Sequence, residues 1–211
     1  METGLARLAG SDGKVTAEAI VMHSRALIAK HGYAAVSMRM IAEAVGVQAG
    51  ALYQYHATKQ QLLVCLMRTH MQELLEAWKS EAVASDSPID ALDRFVHFHI
   101  RYNIIRPDEI FIAYMELRSL EPEGFDLIEK LRKEYEGVLK TIISNGIKLG
   151  KFNCQDAHVA AMAILAMLIG VNTWYRSSGR LLQSKIEDMY AKMILQSVGC
   201  TENIKNVELE R

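Results

Sequence analysis

The side chains best suited to a chemical role lie in one stretch, from Ser37 to Lys59. Its second half presents a face that is small at its start and then aromatic and polar: Gln48, Ala49, Gly50, Tyr53 and Tyr55. A helix with such a face can approach the major groove of DNA closely and offer donors to base edges and phosphates. These residue types therefore indicate non-covalent recognition of a nucleic acid rather than bond breaking.

Two short helices and a tight turn are predicted to position this face. Apolar residues recur at helical spacing over 38–45, and Ser37 is placed to cap the first free N–H groups. Gly46 ends that helix, because glycine adopts the left-handed conformation without a Cβ penalty. A second helix over 48–55 follows, and the pair describes a helix-turn-helix.

A further helix is predicted to start at Thr58, which forms a capping-box pattern with Gln61. Lys59 in its first turn suits a DNA phosphate, because free N–H groups and positive charge coincide there. We expect Ser37, Tyr53 and Lys59 to hold phosphates, and Gln48, Arg39 and the region of Gly50 to approach bases. The full predicted set is Ser37, Arg39, Gln48, Ala49, Gly50, Tyr53, Tyr55, Thr58 and Lys59.

From about Thr16 to Leu63 the chain resembles the DNA-binding domain of the TetR family of transcriptional regulators. The matching pieces are residues 30–33 (KHGY), 37–42 (SMRMIA), 46–47 (GV) and 50–53 (GALY), with Tyr55 and Lys59. The resemblance implies an N-terminal three-helix DNA-binding domain and a C-terminal helical bundle for ligand binding and dimerisation. The chain departs from the family pattern at Gln48 and Ala49, where a Ser and often a basic residue are usual. It also has His56 where Phe is usual, and we expect a core or half-buried ring there.

The rest of the chain also reads as helices, about nine in all, so the predicted fold class is all-α. The three prolines, Pro88, Pro107 and Pro122, each stand where a new helix is expected, since proline is tolerated at the first helical position. Ser184 and Glu187 form a second capping-box pattern at the start of the last helix. The sequence has no strand period, no internal repeat and no Gly-rich phosphate loop.

Four segments are predicted along the 211 residues. They are a flexible N-terminal arm at 1–14, a helix-turn-helix DNA-binding domain at 15–63, a ligand-binding and dimerisation domain at 64–199, and a C-terminal tail at 200–211. A net charge of −1 excludes a general polyanion binder. The three cysteines show no C-x-x-C pairing and suggest a reduced, cytoplasmic protein.

No membrane partner, cofactor or enzymatic activity is expected. The first residues lack the apolar core of a signal peptide, and the apolar run 159–171 is too short to span a bilayer, so it is interpreted as a buried helix. His97 and His99 are two residues apart and point in different directions on a helix. Glu-x-x-His, Gly-x-Ser-x-Gly and a nucleophilic Cys context are all missing, so no metal ligand and no catalytic residue is assigned.

The last two helices are candidates for a dimer interface. The helix over 159–169 is apolar nearly all round, so one face can pack in its own domain while the other needs a cover. Two such helices from each of two subunits make a four-helix interface, which is the usual dimer contact in the resembling family. The alternative is that both helices complete the core of one chain. The predicted interface residues are Met162, Ala166, Ile169, Ile186, Met189, Tyr190 and Met193.

The interior of the second domain is rich in methionine and aromatic residues, which form a core or hold an apolar ligand. Residues 172–181 (NTWYRSSGRL) resemble the acyl-CoA-responsive branch of the family. Arg176 and Arg180 flank a turn and can grip phosphates, or else tie the turn to a neighbouring helix. The predicted ligand residues are Phe98, Tyr102, Phe111, Tyr114, Met115, Tyr135, Trp174, Arg176 and Arg180.

Two function classes follow. The first is a homodimeric transcriptional regulator, a repressor released from a palindromic double-stranded operator by a small hydrophobic or acyl-CoA-type effector. The second is a helical small-molecule sensor or interaction protein with weak or lost DNA binding, which Gln48 and Ala49 favour because a cationic contact is missing there.

Overall fold

The structure is a computed structural model that describes residues 13–84 and 87–201, and these residues form helices without strands. The helices are α1 Gly13–His31, α2 Met38–Val45, α3 Ala49–Tyr55, α4 Lys59–Glu81, α5 Pro88–Ile104, α6 Pro107–Met115, α7 Pro122–Lys148, α8 Ala157–Trp174 and α9 Gln183–Ser197. A short 3-10 turn, Leu117–Ser119, stands between α6 and α7. The all-α prediction is confirmed.

Local signals set most helix starts as predicted. The three prolines are the first residues of α5, α6 and α7. Ser37 Oγ accepts a hydrogen bond from the Met40 N–H at 3.2 Å. Thr58 Oγ1 accepts from the Gln61 N–H at 3.1 Å. Each cap satisfies a backbone donor that the helix itself leaves unpaired.

Two boundaries differ from the prediction. The first turn of α1 contains Gly13 and Lys14, which the sequence assigned to the arm, and residues 1–12 lie outside the described residues. The predicted capping box of Ser184 and Glu187 is wrong, because α9 begins at Gln183 without a side-chain cap. The Glu187 carboxylate instead accepts from Gln183 Nε2 at 2.7 Å.

The predicted C-terminal tail is described only at its start. Cys200 is buried in a hydrophobic cluster together with Ile194, Leu195 and Val198, so this residue belongs to the folded domain. Residues 202–211 lie outside the described residues.

The hydrophobic interior divides into two clusters, and α4 contributes to both. The first cluster gathers α1 to α3 with the N-terminal half of α4, and it also contains Ile112 of α6 and Ile128 of α7. The second cluster gathers the C-terminal half of α4 with α5, α7, α8 and α9. Because α6 and α7 complete the first cluster, the N-terminal helices are packed against the rest of the chain through apolar contacts.

Of the described helices, α8 is the one whose length and composition would suit a membrane span. Core helices of globular proteins share these properties, so they are weak evidence for a span. Ile164 and Leu168 are buried within the protein, whereas Val159 on the opposite side is 63% exposed. One face of α8 is therefore buried within the chain and the other is exposed, which agrees with the expectation that one face packs in its own domain and the other needs a cover.

Candidate DNA-binding and ligand sites

The turn between α2 and α3 fixes the direction in which α3 faces. Gly46 has a φ of 80°, in the left-handed region, and the Val47 N–H donates to the Ala42 carbonyl at 2.9 Å. Leu52 is fully buried and anchors α3 on the first cluster. The opposite face of α3 is therefore held towards solvent.

Most of the predicted DNA-contacting residues lie on this outward surface. The exposed members are Ser37, Arg39, Gln48, Gly50, Tyr53, Tyr55 and Thr58, while Ala49 and Lys59 are half-buried. The Gln48 side chain makes no capping bond, which leaves its amide available. A Cβ at Gly50 would meet no atom within 4 Å, so the fold itself does not require glycine there. His56 is half-buried, as expected.

Lys59 is positioned by an aromatic ring. Its Nζ lies 4.0 Å from the centre of the Tyr33 ring, in the loop between α1 and α2. Burial lowers the pKa of Lys59, and the nearby carboxylate of Glu116 raises it in part. The ring face attracts the ammonium group and limits its directions.

A polar cluster that sequence reasoning missed joins the two halves of the molecule. Glu116 accepts from the Tyr33 N–H at 2.9 Å and from the Ser119 hydroxyl at 2.7 Å. Gln60 Nε2 donates to the Ser119 carbonyl at 2.7 Å, and Gln60 Oε1 accepts from the Glu121 N–H at 3.2 Å. We call Tyr33, Gln60, Glu116 and Ser119 the junction cluster. The one feature of the sequence that could have indicated this cluster is an acidic residue, Glu116, directly after the apolar run of α6.

An ion pair supports the same junction. Arg25 Nη1 of α1 lies 2.5 Å from Glu109 Oε1 of α6, and the carboxylate is the more buried partner. Together with the junction cluster, it ties both ends of α6 to α1 and to the loop between α1 and α2.

The predicted ligand residues separate into a buried group and a surface group. Phe98, Tyr102 and Tyr135 are buried and Tyr114 is half-buried, all within the domain predicted at 64–199. Phe111 and Met115 are 36% and 56% exposed, because the buried side of α6 is formed by Ile110, Ile112 and Ala113. The structure therefore does not bring those two residues together with the buried aromatic group.

The buried group contains a hydrogen-bonded chain. His99 Nδ1 lies 2.9 Å from the Tyr135 hydroxyl, and His99 Nε2 lies 2.8 Å from the Asn103 side-chain nitrogen. Burial lowers the pKa of His99 to about 3. Burial and the charge of Arg106 lower the pKa of His70 to about 4. Both rings are therefore neutral near pH 7.

The turn after α8 forms a separate pocket. Trp174, Arg176, Arg180 and Leu181 contribute to a cavity of about 250 Å³. Arg176 donates to the Tyr175 carbonyl at 2.6 Å, so part of its guanidinium is used at the end of α8. Arg180 is exposed and makes no hydrogen bond or ion pair within the described part of the chain.

The outer faces of α8 and α9 carry an apolar surface. Exposed members are Val159, Met162, Ala166, Met167, Met189 and Met193, while Ile169 and Tyr190 are half-buried. Ile186 is only 3% exposed and packs in the second cluster, so its prediction as an interface residue is wrong. The helical period turns Ile186 inward when Met189 and Met193 face outward.

A capped helix-turn-helix, joined by one long helix to a second helical domain, defines a transcriptional regulator. The chain belongs to the TetR family: the model for its bacterial regulatory proteins matches residues 20–65, and a Tetracyclin repressor-like C-terminal domain matches residues 85–198. The resemblance stated from the sequence is thereby confirmed. Family members and relatives are regulators, so the protein is not an enzyme.

Individual relatives agree with this assignment. The chain is 22% identical over 182 residues to the HTH-type transcriptional repressor KstR2 of Mycobacterium tuberculosis, covering 82% of this chain and 88% of the relative. A tetR-family regulatory protein from Rhodococcus RHA1 superposes with a TM-score of 0.84 and 28% identity, covering 89% of this chain and 98% of that one. AibR, solved with isovaleryl coenzyme A and operator DNA, gives a TM-score of 0.79 and 26% identity over 84% of this chain and 97% of its own.

Proposed function

We propose that the protein is a cytoplasmic, homodimeric repressor that binds a near-palindromic operator and leaves it when a small effector binds. The observation that carries the proposal is the exposed face of α3, whose Gln48 amide makes no capping bond, next to a lysine held on the Tyr33 ring. The amide suits a base edge and the lysine suits a phosphate.

A second copy of the chain is the proposed cover for the apolar faces of α8 and α9. A two-fold dimer would place two copies of α3 in successive major grooves, with half-sites about one helical turn apart or slightly more. The exposed methionines of these helices are flexible apolar side chains that adapt well to a partner surface. This arrangement would explain why an apolar helix face is left open in a single chain.

The proposed effector is an acyl-CoA. The AibR complex contains isovaleryl coenzyme A, and in this chain Arg180 lines the cavity after α8 without a hydrogen bond or ion pair to any described residue. Guanidinium groups bind phosphates through charge-assisted hydrogen bonds. The acyl group would enter the bundle, whose buried aromatic residues suit an apolar chain.

Effector binding would reach DNA through α4 and α6. A ligand that separates α5 to α8 would shift α4, which packs in both clusters, and α6, which is tied to Tyr33 by Glu116. If the effector binds the released conformation about 2–3 kcal/mol more strongly than the DNA-binding conformation, it lowers the affinity for the operator roughly 30- to 150-fold. Binding of operator DNA must then lower the affinity of the protein for the effector by the same factor.

The Lys59→Ala variant is expected to bind all DNA sequences more weakly and to flatten the salt dependence by about one unit per subunit. Gln48→Ala is expected to change sequence preference instead, because an amide reads base edges. Gel shifts with DNA upstream of the protein's own gene, over a salt series, measure both effects.

Lys79→Ala is the matched control, since Lys79 is an exposed lysine at the opposite end of α4. A folded Tyr53→Ala, Lys59→Ala double variant with unaltered DNA affinity would contradict the docking of α3 and α4 on DNA.

The Arg180→Ala variant is expected to bind octanoyl-CoA roughly tenfold more weakly, because one charge-assisted contact to a phosphate is lost. Lys148→Ala, which removes an exposed charge at the end of α7, controls for net charge. Calorimetry that gives the same affinity for both variants and the wild type would exclude the turn after α8 as the phosphate site.

A second candidate is a helical sensor or interaction protein with weak DNA binding. The start of α3 favours it, because Gln48 and Ala49 supply no cation there. A wild-type protein that binds octanoyl-CoA but shifts no DNA at low salt would support this candidate over the repressor.

A further inference from the structure

Three buried polar atoms on α4 and α5 have no hydrogen-bond partner among residues 13–84 and 87–201. They are His70 Nδ1, Tyr102 Oη and Asn103 Oδ1. Their side chains are 3%, 6% and 1% exposed, so solvent does not reach them. Each such group costs about 1–3 kcal/mol, and native proteins rarely keep several unless a water or ligand satisfies them.

The three groups lie in one region of the bundle. The His70 and Tyr102 rings have centroids 6.1 Å apart. Asn103 follows Tyr102 on α5 and contacts His99, which in turn contacts Tyr135. We call His70, His99, Tyr102, Asn103 and Tyr135 the polar core cluster.

The hydrogen-bonded chain through His99 cannot satisfy all its own groups. If the Asn103 amide donates to Nε2, the ring donates from Nδ1 to Tyr135, and the Tyr135 hydroxyl proton is left over. If the amide is turned over, Tyr135 donates to the ring, the ring donates to the amide oxygen, and the amide N–H₂ is left over. Each arrangement leaves a buried donor, and the Tyr102 hydroxyl is another.

The side chains of the cluster are neutral near pH 7, because burial lowers the pKa of His70 to about 4 and that of His99 to about 3. His70 is the one member of the cluster that lines a cavity of about 80 Å³ between α1, α4 and α6, which Arg25, Glu73 and Glu109 also line. Arg106 stacks 3.8 Å over the Tyr102 ring and donates to the Tyr102 carbonyl at 3.1 Å. An ionised carboxylate placed among neutral donors would lose its hydration without gaining a cation in the cluster.

We propose that the polar core cluster binds a neutral oxygen of the effector, a carbonyl or hydroxyl, through the Tyr102 hydroxyl and the donor left over at Asn103 or Tyr135. The inference rests on the proposed effector-binding function of this domain. It adds that the buried part of the effector carries oxygen and is not a plain hydrocarbon. It also gives Tyr102 a role in choosing between ligands of equal size.

Two matched probe pairs test the proposal with the full-length protein. Octanoyl-CoA is compared with S-octyl-CoA, which lacks the thioester carbonyl, and 7-oxooctanoyl-CoA is compared with octanoyl-CoA. By calorimetry, the wild type is expected to prefer the carbonyl-bearing member of at least one pair roughly tenfold. Tyr102→Phe is expected to reduce that preference roughly 3- to 10-fold and to leave the affinity of the other member unchanged.

The variants are chosen to separate ligand binding from folding. Tyr102→Phe removes a hydroxyl that has no hydrogen-bond partner in the described part of the chain, so the melting temperature of the variant is expected to equal or exceed that of the wild type. Tyr135→Phe removes the bond to His99 and is expected to melt lower. Tyr53→Phe, on the DNA-binding surface, is the control for a lost hydroxyl elsewhere.

If the wild type bound both members of each pair with equal affinity, the inference would be overturned while the acyl-CoA proposal stayed in place. The same conclusion would follow if Tyr102→Phe kept the full preference of the wild type. Failure of all three probes to bind the wild type would overturn both. Operator binding is measured separately by gel shift, so the proposed repressor role does not depend on either outcome.

Discussion

A Met193→Asp variant is expected to lose the dimer and, with it, operator binding. Met193 is 41% exposed on the outer face of α9, so the substitution leaves the interior of a single chain intact. In a two-fold interface the new charge is placed twice near the symmetry axis. Burying these charges without partners costs several kcal/mol.

Operator affinity of this variant is expected to fall roughly 100-fold or more, because two linked α3 helices no longer bind together. Light scattering measures the oligomeric state and gel shifts measure DNA binding. Ile105→Asp, at an exposed isoleucine after α5, places the same charge away from α8 and α9 and should keep the dimer. A stable dimer of Met193→Asp would exclude this part of α9 from the interface.

A Glu116→Ala variant is expected to be less stable and to bind DNA more weakly. It leaves the Tyr33 N–H and the Ser119 hydroxyl without their acceptor. The free energy of unfolding should fall by about 1–3 kcal/mol, and the melting temperature by roughly 2–4 °C for each kcal/mol in a chain of this size. DNA binding should weaken because Tyr33 also holds Lys59.

Glu116→Gln separates geometry from charge. Its amide oxygen can still accept from the Tyr33 N–H, so it should recover most of the stability and DNA affinity. Glu123→Ala, at an exposed position in the first turn of α7, is the control for a lost carboxylate. If Glu116→Ala kept the wild-type salt dependence of DNA binding, Glu116 would not position Lys59.

Local rules predicted most helix starts and the exposed face of α3 because their causes lie within a few residues. Ser37 caps the helix that it precedes, Gly46 forms the turn that it occupies, and proline at a helix start needs only its own ring. The outward face of α3 follows from the burial of Leu52, which the helical period already indicates.

The features that the sequence did not predict, or predicted wrongly, depend on contacts between distant parts of the chain. Glu116 reaches a backbone N–H 83 residues away, and no short-range pattern encodes that pairing. Periodicity shows that α6 and α9 each have an apolar side, but the neighbours of each helix decide which borderline residues turn inward. For this reason Phe111 and Met115, which are predicted ligand residues, are exposed, and Ile186, which is a predicted interface residue, is buried.

One hydrophobic cluster is formed jointly by helices α1 to α4 and by Ile112 and Ile128. This shared cluster limits how the DNA-binding part of this regulator can be recombined with other regulators. A fusion that transplants residues 15–63 alone would expose apolar surface where Ile112 and Ile128 now pack. A chimera with altered operator choice therefore needs its donor to supply α6 and the first turns of α7 as well. The same constraint applies to gene fusions during evolution, since exchange at the end of α3 would separate residues that fold together.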